Sequence, residues 1–239
     1  MAQLDISSDV IVAQASLSER QIFIKRTYLH VAGSIAVFAL LEATLIQMGF
    51  GESFLRLLSS SSFSWLIVLA LFMGVSYIAD KWARNTLAKE MQYAGLGLFI
   101  VAESVVFLPL IYMALQMTPD GSLLSSAAVV TGALVLGITF TAFTTKKDFS
   151  FIGKYLVMGG FAAMGIIVAA ILFGFKLGLF FSGAMIIFAG FSILYSTSNI
   201  IHQYHTSQHV AAALSLFASV ALLFWYVLQF LMALAGGDD

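Results

Sequence analysis

Cysteine is absent from all 239 residues. That removes disulfides, thiolate metal sites and cysteine nucleophiles together. Charge is scarce as well. Asp, Glu, Lys and Arg make up 10% of the chain, against about 25% in a soluble domain. The net charge is −1 and no basic block is present, so nothing points to nucleic acid as a partner. Proline occurs twice, at Pro109 and Pro119, and leaves long helices almost uninterrupted. There is no G-x-x-x-x-G-K-[ST] loop for phosphate. Serines are plentiful, but none is convincingly paired with a histidine as a nucleophile would need. No enzyme chemistry and no cofactor are expected.

What the chain has is apolar side chain. Hydrophobic residues make up 61% and the mean hydropathy is +0.99. A chain this apolar has too little polar surface to cover itself in water. Its apolar runs are continuous and close to the ~20 residues that carry a helix across a bilayer. Short alternating segments of the kind that build a membrane barrel are missing. The fold class is therefore all-α, a polytopic integral membrane protein with seven transmembrane helices and lipid as its solvent. The spans fall at 27–48, 63–79, 93–115, 123–144, 153–174, 177–195 and 210–232. Residues 1–26 form an N-terminal tail, 27–232 the membrane domain and 233–239 a short C-terminal tail. In the tail, Ser16 and Glu19 form an S-x-x-E capping box and predict a brief interfacial helix ending at Lys25-Arg26. The first apolar run has no small-residue cleavage site behind it and is expected to stay as an anchor.

Basic residues set the orientation. Arg20, Lys25, Arg26, Lys81, Arg84, Lys89, Lys146, Lys147 and Lys154 fall on one side of a seven-span reading. Only Arg56 and Lys176 fall on the other. The N-terminus is thus expected in the cytoplasm and the C-terminus outside. Small residues four apart allow close helix approach in lipid. Ala133 with Gly137, Gly159 with Ala163, Gly165 with Ala169 and Gly178 with Ser182 have that spacing.

Ionisable groups inside a membrane cost about 2.5–3.5 kcal/mol each at mid-depth, so they mark candidate sites. Glu103 sits near the middle of the third span. Pro109 follows it by six residues and is expected to loosen the helix nearby. Glu42 sits in the outer half of the first span, within reach of the interface. Both are candidate proton or ion sites. His30 reads as interfacial. His202, His205 and His209 have spacings that suit a metal face, but no acidic residue accompanies them. Tyr204, Thr206 and Ser207 among them suggest an exposed loop.

Two stretches carry a resemblance. Thr144-Thr145-Lys146-Lys147-Asp148-Phe149-Ser150-Phe151-Ile152-Gly153 resembles the loop joining spans four and five in the Bax inhibitor-1 family. Ile193-Leu194-Tyr195-Ser196-Thr197-Ser198-Asn199-Ile200-Ile201-His202 resembles that family's end of span six, especially in its bacterial YccA-like branch. Lys25-Arg26-Thr27-Tyr28 and Ala213-Leu214-Ser215-Leu216-Phe217 fit the same register. Lys147, Asp148, Thr197, Asn199 and His202 are the motif residues. The resemblance implies a multi-pass protein of the bacterial inner membrane, surrounded by lipid. Its implied roles are modulator, and possible substrate, of an FtsH-type AAA protease that engages the N-terminal tail, or pH-sensitive leak channel for calcium ions or protons. The family's leak members carry an acidic pair late in span six and in span seven. Ser196 and Ser219 occupy those positions here, so the acidic switch does not carry over, and Glu103 becomes the alternative.

Overall fold

The computed structural model describes residues 10–85, 88–145 and 147–236. Among the described residues eight α-helices follow in order: α1 Leu17–Gln47, α2 Phe50–Ser59, α3 Ser62–Ala83, α4 Lys89–Met117, α5 Ser122–Thr145, α6 Gly153–Phe173, α7 Gly178–His202 and α8 His209–Gly236. All but α2 are long and apolar enough to cross a membrane. One-turn 3-10 helices at Val12–Gln14 and Ser150–Ile152 precede α1 and α6.

The Ser16 capping box forms. The Ser16 hydroxyl accepts from the Glu19 N–H, and the Glu19 carboxylate accepts from the Ser16 N–H. It opens the first span itself, because α1 runs unbroken from Leu17 to Gln47 and leaves no separate interfacial helix. Glycine ends that helix: Gly49 has φ of 80°, a left-handed turn that costs glycine little. The ten-residue α2 follows, where the sequence reading had only a connection. So short a helix is marginal alone. Docking holds it, with Leu58 buried and Gly51 set against the Tyr112 ring of α4.

Helix α8 lies at the centre and packs against α1, α3, α4, α5 and α7. Helix α4 is also largely buried and packs against α1, α2, α3, α5 and α8. Helix α6 is peripheral, resting on α3, α7 and the turn before it. Large apolar side chains such as Phe140, Phe161 and Phe180 point outward, as lipid-facing residues should. Helices α1 and α4 run in the same direction, and their starts lie at the end where the Lys- and Arg-bearing loops gather, called here the basic end. Arg56 on α2 and Lys176 between α6 and α7 lie at the opposite end. Lys146, counted for orientation, lies outside the described residues.

Candidate functional site

Serines build the site from the basic end inward. Ser192 and Ser196 are one turn apart on α7, and Ser215 and Ser219 one turn apart on α8, so each pair shares a helix face. These faces meet. The Ser196 and Ser219 hydroxyls are 3.0 Å apart, Ser192 and Ser219 are 2.9 Å apart, and Ser196 and Ser215 are 3.3 Å apart. Ser219 also donates to the Ser215 carbonyl at 3.0 Å. Ser196 and Ser219, the positions expected to match the family's acidic pair, are thus in direct contact. They are buried, at 2% and 5% exposure. Each hydroxyl donates once and accepts twice, so four can satisfy one another without charge. Interhelical hydrogen bonds of this kind are worth about 0.6–2 kcal/mol each in membrane helices. Ser192 and Ser215 were missed by the sequence reading, though the two i, i+4 spacings were there to be read.

One turn further out, the two motif stretches join. Ser198 on α7 accepts from the Phe149 N–H at 2.8 Å and faces Asp148 at 3.3 Å. His202 places Nδ1 3.0 Å from the Ser198 carbonyl. The α5–α6 loop is therefore pinned to the end of α7. Asp148 also accepts from the Ser150 N–H at 2.8 Å. That bond, before the smaller effects of His202 and the Ser198 hydroxyl, holds its carboxyl below the usual aspartate range. The folded state therefore prefers Asp148 ionised. Its contribution to stability is complete above about pH 4 and is lost as pH falls further. Asp148→Ala is expected to cost about 1 kcal/mol at pH 7, with a smaller difference from wild type at pH 3. Thermal unfolding in detergent at the two pH values checks this; an equal loss at both would be the wrong result. Lys147 is exposed, Thr197 is fully buried, and the Asn199 Oδ1 is buried with no partner among the described residues. Helix α7 reaches His202, seven residues beyond the expected end, because its serines and threonine find partners or burial inside the bundle instead of water.

The α7–α8 loop is half-buried, where its polar residues had suggested exposure. The segment before α1 straps it down. The Val12 N–H donates to the Tyr204 carbonyl at 2.9 Å and the Thr206 N–H donates to the Val10 carbonyl at 3.0 Å. Ile11 and His205 form an antiparallel bridge, and Val12 is fully buried. Tyr204 is 6% exposed. Its ring lies under the Arg84 guanidinium at 5.9 Å, and its hydroxyl neighbours Ser215. Arg84 is itself held by Asp80 at 2.7 Å. The three histidines of this region diverge. His202 turns to Ser198, His205 joins the strap, and His209 meets His30 with ring centroids 5.1 Å apart. Their spacing does not gather them on one face.

Glu103 is buried in α4 at 7% exposure and Glu42 in α1 at 3%. Glu42 therefore does not reach the interface. Helix α1 turns it inward, on the stripe that also buries Phe23, Thr27, Val31 and Ser34. Both of its carboxyl oxygens lack a hydrogen-bond partner among the described residues. No hydrogen bond or ion pair joins the two carboxyls among the described residues. Pro109 lies within α4 without ending it. Hollows of about 450 and about 380 Å³ open on the bundle, and neither of these is lined by Glu42 or Glu103.

Comparison with known proteins agrees with this architecture. The family model described as inhibitor of apoptosis-promoting Bax1 matches residues 20–236. An uncharacterized protein of Pseudomonas aeruginosa is 29% identical over 174 residues, 72% of this chain and 76% of that one. An uncharacterized protein of Neisseria meningitidis is 26% identical over 189 residues, 79% and 81% of the two chains. Protein lifeguard 4 of Mus musculus is 26% identical over 231 residues, 93% and 89% of the two. With seven spans in order and the matched motifs meeting at the ends of α5 and α7, the chain belongs to the Bax inhibitor-1 family of multi-pass membrane proteins.

Proposed function

We propose that this protein is an inner-membrane modulator that works by protein contact, on a membrane-bound AAA protease of the FtsH type. It catalyses no reaction of its own. The observation that carries this reading is the hydroxyl contact at the acidic-pair positions, Ser196 to Ser219 at 3.0 Å. Hydroxyls of ordinary serines do not ionise near neutrality. They supply neither the charge that calcium takes from carboxylate ligands nor a proton to share. The N-terminal segment is the natural handle, with the N-terminus in the cytoplasm by the distribution of basic residues. Residues 10–14 are committed to the strap, and Ser16 caps α1. A deletion of residues 1–9 leaves the strap and the α1 cap in place.

A second reading has one observation in its favour. Two carboxyls, Glu42 and Glu103, are buried among the helices, and a proton or calcium leak through Glu103 would use one of them. The two readings separate in one pair of measurements. In liposomes holding the purified protein, calcium and proton flux at pH 5, 7 and 8 is expected to match protein-free vesicles. Deleting residues 1–9 is expected to abolish co-purification with the protease while leaving the protein folded. Flux from the native protein that Glu103→Gln removes would replace the modulator reading with the leak. Unchanged co-purification after the deletion would end the role of the tail.

A further inference from the structure

The hollow of about 380 Å³ lies between α1 and α4 in the half of the bundle nearer the basic end. Its walls are Leu29, Val37, Leu96 and Ile100, and its floor is glycine. Gly33 and Gly97 face each other from the two helices. A Cβ built on either one meets nothing within 4 Å, so the groove exists because side chains are missing there. It opens on the outer surface of the bundle, where both glycines are exposed.

One end of this groove is polar. His30 and Tyr93 line it, with the His30 Nε2 3.3 Å from the Tyr93 hydroxyl. Arg26 lies four residues before His30, and Lys89 four residues before Tyr93. That spacing sets each cation on the same helix face as the groove residue above it. Because α1 and α4 run in parallel, both cations flank the same end. Arg26, Lys89 and His30 are all close enough to His209 to act on its charge. Both cations are exposed, and neither has an ion-pair partner among the described residues.

We propose that the α1–α4 groove is a binding site for one anionic phospholipid of the leaflet at the basic end. One acyl chain lies over Gly33 and Gly97 between Val37 and Ile100. The phosphate sits between Arg26 and Lys89, within reach of the Tyr93 hydroxyl. The volume is in the range of small-molecule sites, which are mostly apolar with a few polar groups that fix orientation. The charged side chains that flank the polar end, Arg26 and Lys89, are both cations, which complements an anionic headgroup. Helix α1 presents a lysine-arginine pair at this depth, the position from which basic side chains meet lipid phosphates.

The test uses the full-length protein, delipidated in detergent, with phosphatidylglycerol or phosphatidylcholine of the same acyl chains added, and native mass spectrometry to count bound lipid. Phosphatidylglycerol is expected to be retained preferentially. Each of Arg26→Gln and Lys89→Gln should weaken that preference about fivefold, the worth of one basic residue near an anionic surface. Gly97→Leu fills the groove without a backbone clash and should cut retention of both lipids. Lys147→Gln, on a different loop, should change nothing. Equal retention of the two lipids by the native protein would overturn the proposal, as would a preference that survives Arg26→Gln with Lys89→Gln. Retention untouched by Gly97→Leu would overturn the groove as the seat of the chain. A thermal-unfolding check on each variant keeps lost lipid distinct from lost fold.

Discussion

Gly95→Ala is expected to be among the most damaging single-methyl additions this protein can receive. A Cβ at that position would lie 2.5 Å from the Ala79 carbonyl oxygen, 2.7 Å from the Ala83 nitrogen and 3.0 Å from the Trp82 Cβ. The first two are backbone atoms of a neighbouring helix and have no rotamer to escape into. Helices α3 and α4 must move apart along their shared face, which is among the most extensive in the bundle. Overpacking costs about 1–3 kcal/mol where side chains absorb it, and more where they do not. A loss of about 3 kcal/mol or more is expected here, against the helix-propensity gain of up to about 1 kcal/mol that alanine brings over glycine. The control lies two residues on. Gly97 meets only open space, so Gly97→Ala should be neutral or mildly stabilising. Thermal unfolding of both variants in one detergent decides it. Equal midpoints would mean that α3 and α4 do not meet at this distance.

Restoring the acidic pair is the second large effect expected. In Ser196→Asp with Ser219→Asp, two carboxyls replace hydroxyls whose oxygens are 3.0 Å apart. At that separation both cannot ionise cheaply, so the pair holds a proton at low pH. Above its titration the pair becomes a calcium-binding centre, with Ser192 and Ser215 beside it as further oxygen donors. Calcium binding and flux are expected to appear at pH 8, to disappear at pH 5, and to be absent at both from the native protein. Ser196→Asn with Ser219→Asn keeps size and polarity without charge and should stay silent. A folded double-aspartate protein with no pH-dependent calcium binding would show that these seats are not equivalent to the family's acidic pair.

The two expectations draw on different depths of information. Ser196 and Ser219 were named from a motif alone, and the structure brings them into contact. Their partners Ser192 and Ser215 carried the same signal, a repeat of four on each helix. They became legible only when α7 and α8 were known to face each other. Gly95 carried no signal at all. The pairs picked by small-residue spacing fared unevenly. A Cβ on Gly159 would lie 2.9 Å from the Phe188 ring, but one on Gly137 or Gly165 would meet open space. Spacing says that a helix has a smooth stripe; it does not say which stripe meets a helix and which meets lipid. Glu42 shows the same limit. Position along the span suggested the interface, whereas the rotation of α1 set by its buried stripe points the carboxyl inward. The α7–α8 loop failed for another reason. Its backbone partners are Val10 to Val12, nearly two hundred residues away in sequence, and no local pattern announces such a pairing.

By itself the sequence determined that this chain crosses the membrane seven times, in which order the crossings come, which ends carry the positive charge, and to which family it belongs. Those properties follow from the bilayer, which acts on each segment through its own length, hydropathy and flanking charge. Tertiary structure alone decided that two serine stripes close into one hydroxyl cluster, that the N-terminal strap covers the loop before α8, and that Glu42 and Glu103 stay apart. It also decided that Gly33 and Gly97 open a groove between Arg26 and Lys89. Each of these needs two surfaces from distant parts of the chain to meet at one rotation and one depth, and in lipid that choice is made by close packing, which no single helix encodes.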